Sequence, residues 1–84
     1  MYKKIEPPLR MTSIEAVERY PDSYILFQSD GWNPPDDMGN VLYIGDDHSE
    51  LFRLALSIDA PYSGIEEGRN HRRIPSLGGV VVGN

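Results

Sequence analysis

The apolar residues of this chain change period several times, and each change predicts an element. Through residues 1–11 they follow no period and Pro7-Pro8 interrupts them, so the segment reads as an extended N-terminal arm. Thr12-Ser13-Ile14-Glu15 then has the form of a capping box, in which the Thr12 hydroxyl accepts from the Glu15 amide and the Glu15 carboxylate accepts from the Thr12 amide. A short helix is expected, with Ile14, Val17 and Tyr20 on its buried stripe. It ends before Pro21, whose ring disfavours helical geometry at the preceding residue. Ser23–Ser29 is rich in aromatic and β-branched residues and predicts a strand, apolar on both faces over Tyr24–Phe27 as suits the middle of a sheet. Residues 30–40 hold nearly every turn-forming residue type and are too long for a tight hairpin turn. Val41–Ile44 is the second strand, antiparallel to the first.

Asp47 and Glu50 then open a second helix in the manner of another capping box. Leu51, Phe52, Leu54, Ala55, Leu56 and Ile58 form a wide apolar face, the face expected to cover the sheet. Ala60-Pro61 ends it. Residues 59–76 read as a second long loop, with Gly64, Gly68 and the basic run Arg69-Asn70-His71-Arg72-Arg73, and Val80-Val81-Val82 as a third strand. The expected fold is a small α+β domain of order α-β-β-α-β, spanning residues 12–84 behind the arm of residues 1–11. Its three-stranded, mainly antiparallel sheet has strand order 2-1-3, with two helices on one face.

Composition narrows the class. A chain of 84 residues allows one domain with a thin core. Apolar residues at 39% and charged residues at 25% belong to a folded protein rather than a disordered one. The absence of cysteine rules out disulfides and thiolate zinc sites, and it favours a reducing, cytoplasmic setting. Lys3-Lys4 is followed by Ile5-Glu6-Pro7-Pro8 rather than an apolar run, so no targeting segment is expected. No stretch is long and apolar enough for a membrane span. The net charge of −5 is unevenly placed, since residues 1–10 carry +2, residues 11–68 carry −10 and residues 69–84 carry +3. An acidic body repels nucleic acid over long range.

Three stretches carry a resemblance. Tyr20-Pro21-Asp22-Ser23-Tyr24-Ile25-Leu26, then Gly39–Asp47, then Glu50-Leu51-Phe52-Arg53-Leu54-Ala55 resemble a group of short uncharacterised bacterial proteins. Those share a tyrosine-proline, an apolar strand, a second strand ending in glycine-aspartate, and a helix. The likeness covers about residues 12–58. It implies a domain of unknown function and no catalytic residues.

The candidate chemistry is sparse. Asp46-Asp47-His48, with Asp36 and Asp37 further along, has the donor types of a cation site but the spacing of no known loop; helix capping is the favoured reading. The two histidines, His48 and His71, show no partner in sequence for acid–base work. No serine sits in a Gly-x-Ser-x-Gly elbow, and Gly78-Gly79 lacks the lysine of a phosphate loop. Neither catalysis nor a cofactor is expected. Trp32, in a proline-flanked loop, reads equally as a binding anchor or as a lid on the core. Arg69, His71, Arg72 and Arg73, with Tyr62 as a stacking ring, form a candidate contact surface for a protein partner or a second copy, and less readily for nucleic acid. The strands of Val41–Ile44 and Val80–Val82 would be open edges without lysine or proline. A homodimer pairing through such an edge, around Val81, is therefore expected. The working function is partner binding or self-association. A small-ligand or metal-binding accessory domain is the alternative, with nucleic-acid binding third.

Overall fold

The computed structural model describes residues 1–32 and 36–71. Where local chemistry is strong, the elements form as their caps and patterns require. Thr12 caps helix α1 (Ser13–Arg19) with both halves of the box in place: the Glu15 amide donates to Thr12 Oγ1 at 3.1 Å and the Thr12 amide to Glu15 Oε1 at 2.9 Å. Asp47 caps helix α2 (His48–Ser57), accepting from the amides of Ser49 and Glu50. The apolar run Tyr24–Phe27 lies in strand β2 (Tyr24–Ser29), which pairs antiparallel with strand β3 (Met38–Gly45) as the expected hairpin.

Two further strands complete an antiparallel sheet, in spatial order β1-β3-β2-β4. Three expectations are corrected by it. The N-terminal segment is strand β1 (Tyr2–Thr12), paired antiparallel along β3. The prolines that argued against a strand are absorbed by a break in register, since Lys4 faces Tyr43 while Leu9 already faces Val41. A sheet edge tolerates such a break because its outer backbone groups need no ladder partner. Val41–Ile44 is consequently an interior strand. The second correction lies in the loop expected over residues 59–76, which holds strand β4 (Ser63–Glu67), antiparallel to β2. Gly64 and the acid pair Glu66-Glu67 carry little strand propensity, and pairing against the apolar β2 overrides it. β4 takes the place beside β2 that was expected for Val80–Val82, a segment outside the described residues.

The third correction concerns the helices, which lie on opposite faces. β1 and β2 are parallel with β3 between them, and β3 and β4 are parallel with β2 between them. Both crossovers step the same way along the sheet, but their strands run in opposite directions. Right-handed connections then place α1 on one face and α2 on the other. The packing agrees. Ile25, Phe27 and Val41 are buried with Ala16 of α1, and Ile5, Leu9, Met11, Tyr20 and Ile44 border that cluster. Leu26, whose side chain alternates to the other face, is fully buried, as is Leu51 of α2. One consequence is local: α1 turns Ala16 and Val17 inward, and Ile14, expected on the stripe, is 71% exposed.

Close backbone approach decides one glycine. The Gly68 amide donates to the Ser23 carbonyl at 2.8 Å, and a Cβ there would lie within 2.7 Å of the Tyr20, Pro21 and Ser23 carbonyl oxygens. The following residues stay on the same turn, with the Asn70 amide donating to the Pro21 carbonyl at 2.7 Å and the Arg69 amide to Val17 at 3.2 Å.

Candidate interaction surface

The two ends of the sheet separate the residues that the sequence grouped together. Tyr62 stands at the start of β4, where its carbonyl accepts from the Ser29 amide at 3.0 Å, next to the loop that carries Trp32. Arg69 and His71 follow the other end of β4. A strand length therefore parts Tyr62 from the basic run, and the two do not form one stacking surface.

Near the basic run, the described residues are already engaged within the chain. Arg69 donates to Glu18 Oε1 at 3.0 Å, so this arginine meets an acid of its own body rather than a partner's. Asn70 Nδ2 donates to Asp22 Oδ1 at 2.6 Å. His71 Nε2 lies 2.6 Å from the Asp22 carbonyl, and since a carbonyl only accepts, that nitrogen carries a proton. Its ring stacks on Tyr24 at 4.5 Å and 24°. Tyr24 meets His48 edge-on at 5.6 Å, and His48 lies parallel to Phe52 at 6.4 Å. Four rings thus run from the Tyr20–Ser23 turn to His48 and Phe52 of α2. Arg72, Arg73 and Val81 lie outside the described residues.

Asp46 and Asp47 divide their work. Asp47 caps α2, while Asp46 Oδ1 and Glu50 Oε1 each lie 2.8 Å from the Met1 ammonium. These two acids raise the amine to about 10 from its ordinary 8.0, and the ammonium in return holds the Asp46 carboxyl below its usual value. Asp37 accepts from the Ser13 hydroxyl and, through its carbonyl, from the Ser13 amide at 3.1 Å. Among the described residues no histidine, aspartate and glutamate group has the geometry to hold a metal ion.

What remains uncommitted is an apolar face on the α2 side. Phe52 is 51% and Leu56 73% exposed, although α2 was expected to bury its whole apolar face. A four-stranded sheet is too narrow to cover a stripe that wide. With His48, Ala55, Ser63, Gly64 and Ile65 these two line a groove of about 330 Å³ between α2 and β4. Among the described strands β4 stands at the edge, with no described strand on the outer side of the groove floor. The antiparallel pattern identifies which groups are free to pair. The bonds from Ser29 to Tyr62 and from Gly68 to Ser23 set the alternation, in which the amides of Gly64 and Glu66 turn toward β2 and those of Ser63, Ile65 and Glu67 turn outward. Just before Ser63, Tyr62 is 55% exposed with φ of +64, a backbone region a bulky residue rarely enters. Trp32, 89% exposed, is not a lid on the core.

The opposite edge is built differently. β1 presents Lys3, Lys4, Pro7 and Pro8, the residue types that block strand pairing. A wider depression between β1 and α1 is rimmed by Arg10, Glu15 and Glu18, whose charges are paired with Asp30, held in the α1 cap and paired with Arg69 respectively. No family model, curated protein or solved structure matches this chain. No described helix is long and apolar enough to cross a membrane.

Proposed function

We propose that this domain is a protein-interaction module that accepts an extended segment of a partner along β4, with the partner's apolar side chains seated in the α2–β4 groove. The observation that carries the reading is the juxtaposition of an open edge strand with exposed Phe52 and Leu56. In strand addition, main-chain bonds supply affinity and the flanking pocket selects alternate side chains. Here the outward amides of Ser63, Ile65 and Glu67 supply the first, and Phe52, Leu56 and Ile65 the second. Tyr62 supports the same reading. A strained backbone that holds a large ring at the surface is a feature typical of binding sites. Among the described residues no hydrogen bond joins His48 to Ser63, the base and hydroxyl that line the groove, and we read the domain as an accessory rather than an enzyme. The small-ligand alternative draws on the same groove, whose volume is at the lower end of ligand sites.

The test is a panel of extended peptides with alternating apolar residues, titrated against the full chain and followed by the backbone amide signals of β4. The expected binders shift Ser63, Ile65 and Glu67. Leu56→Glu, an exposed substitution, weakens them by about 30-fold or more, the effect of losing an interface anchor. Trp32→Ala leaves them unchanged. Binding that survives Leu56→Glu, or shifts that map to residues 69–71, would place the partner elsewhere.

A further inference from the structure

The geometry points to a second copy of this chain as the occupant of the β4 edge, an inference that rests on the strand-addition reading above. β4 is self-complementary about its own centre. When two β4 strands pair antiparallel about a two-fold axis at Ile65, Ile65 faces Ile65, Ser63 faces Glu67 and Gly64 faces Glu66. The acids at one end of the strand therefore meet the small, uncharged residues at the other, and no like charges stand opposite. Shifting the centre one or two residues onward, to Glu66 or Glu67, would set an acid against itself, so charge disfavours those registers. The outward amides and carbonyls of Ser63, Ile65 and Glu67 are the groups this register pairs.

The same axis stands perpendicular to the sheet, as antiparallel continuation of a sheet requires, so both copies present the α2 side on one face. The two α2 helices then lie next to each other across the axis. Phe52 and Leu56, the exposed apolar side chains of each, come to rest against the other copy. The sheet becomes continuous across the pair, ending on both sides in β1 with its lysines and prolines. Among the described strands the pairing closes on itself, since both outer edges of the joined sheet are then β1. Val41–Ile44, expected as an open edge, is covered on both sides by β1 and β2, and Val81, around which the dimer was expected, lies outside the described residues.

The absence of native cysteine makes the register directly readable. Opposed residues of a hydrogen-bonded antiparallel pair have Cα atoms about 5.5 Å apart, within disulfide reach, whereas residues four positions out of register are about 13 Å apart. Ser63→Cys and Glu67→Cys are made singly in the full chain, mixed, and oxidised mildly. The expected result is a disulfide-linked pair of the two variants, forming at least tenfold faster than either variant links to itself. Ser63→Glu, which sets acids opposite each other twice, is expected to weaken the wild-type dimer several-fold, and Ser63→Lys to tighten it by a similar factor. Sedimentation of the wild type should show twice 9.5 kDa at tens of micromolar. Mixed variants that link no faster than each alone overturn the register and the proposal. A 9.5 kDa species throughout also overturns it: if that species still binds extended peptides at β4, the strand-addition reading stands without self-pairing, and if it binds none, both fall. Protection of the Ser63, Ile65 and Glu67 amides in a 9.5 kDa species would assign the edge to another segment of the same chain.

Discussion

At the scale of single residues, caps and close approaches set the local cost of change. Thr12 closes the α1 box through two bonds, and Thr12→Ala is expected to cost about 1 kcal/mol. In a domain of this size that lowers the thermal midpoint by about 4–8 °C, readable by circular dichroism. Gly68→Ala should be far worse, because the new methyl would meet three carbonyl oxygens of the Tyr20–Ser23 turn rather than a movable side chain. Tyr62→Gly runs the other way. It relieves a left-handed backbone that costs a non-glycine residue about 1 kcal/mol, and the exposed ring gives back little in packing. A rise in midpoint together with weakened partner binding is expected, which would show that the tyrosine is kept for contact rather than for stability.

Elements were legible to the extent that their signals were local. Thr12 with Glu15, Asp47 ahead of α2, and the apolar run Tyr24–Phe27 each state their structure within a few residues, and the hairpin follows from them. β1 and β4 do not. Their prolines, glycine and acids belong to sheet edges, where exposure relaxes the pattern that a period-two reading depends on. Helix sidedness was hidden for a different reason: it depends on the direction of both crossovers, which is undefined until β1 and β4 are placed. The site was half legible. Phe52 and Leu56 were visible as apolar positions, but nothing in the period of α2 tells which part of a wide stripe the sheet leaves bare. Substitution separates the two parts. Leu51→Ala, at a fully buried position, is expected to cost about 2–5 kcal/mol, while Phe52→Ala should barely move the midpoint of the monomer.

For the whole molecule, charge placement predicts how stability follows pH. The Met1 ammonium joins β1 to the start of α2 through Asp46 and Glu50 and is raised to about 10 from 8.0. A pKa higher in the folded state means that the pair's contribution is complete below pH 8 and is lost as pH climbs through 10. The Asp46 and Asp30 carboxyls are depressed, by the ammonium and by the Arg10 guanidinium respectively, so their contributions hold at neutral pH and fade as acid protonates them. Thermal midpoints measured from pH 7 to 11 should fall more steeply for the chain with a free Met1 amine than for its acetylated form. Equal slopes would mean the ion pair contributes nothing in solution.

The interleaved strand order also governs how this chain can be made. Among the described strands only β2 and β3 are neighbours both in sequence and in space, while β1 must wait for β3 and β4 must return past α2 to reach β2. As the chain leaves the ribosome, β1 emerges before β3 and lacks its full partner until residue 45 is out. Through that interval Ile5, Leu9 and Met11 have no sheet to pack on. The prolines and lysines among them then serve a second purpose, keeping an orphan strand from pairing with a neighbouring nascent chain before its own arrives.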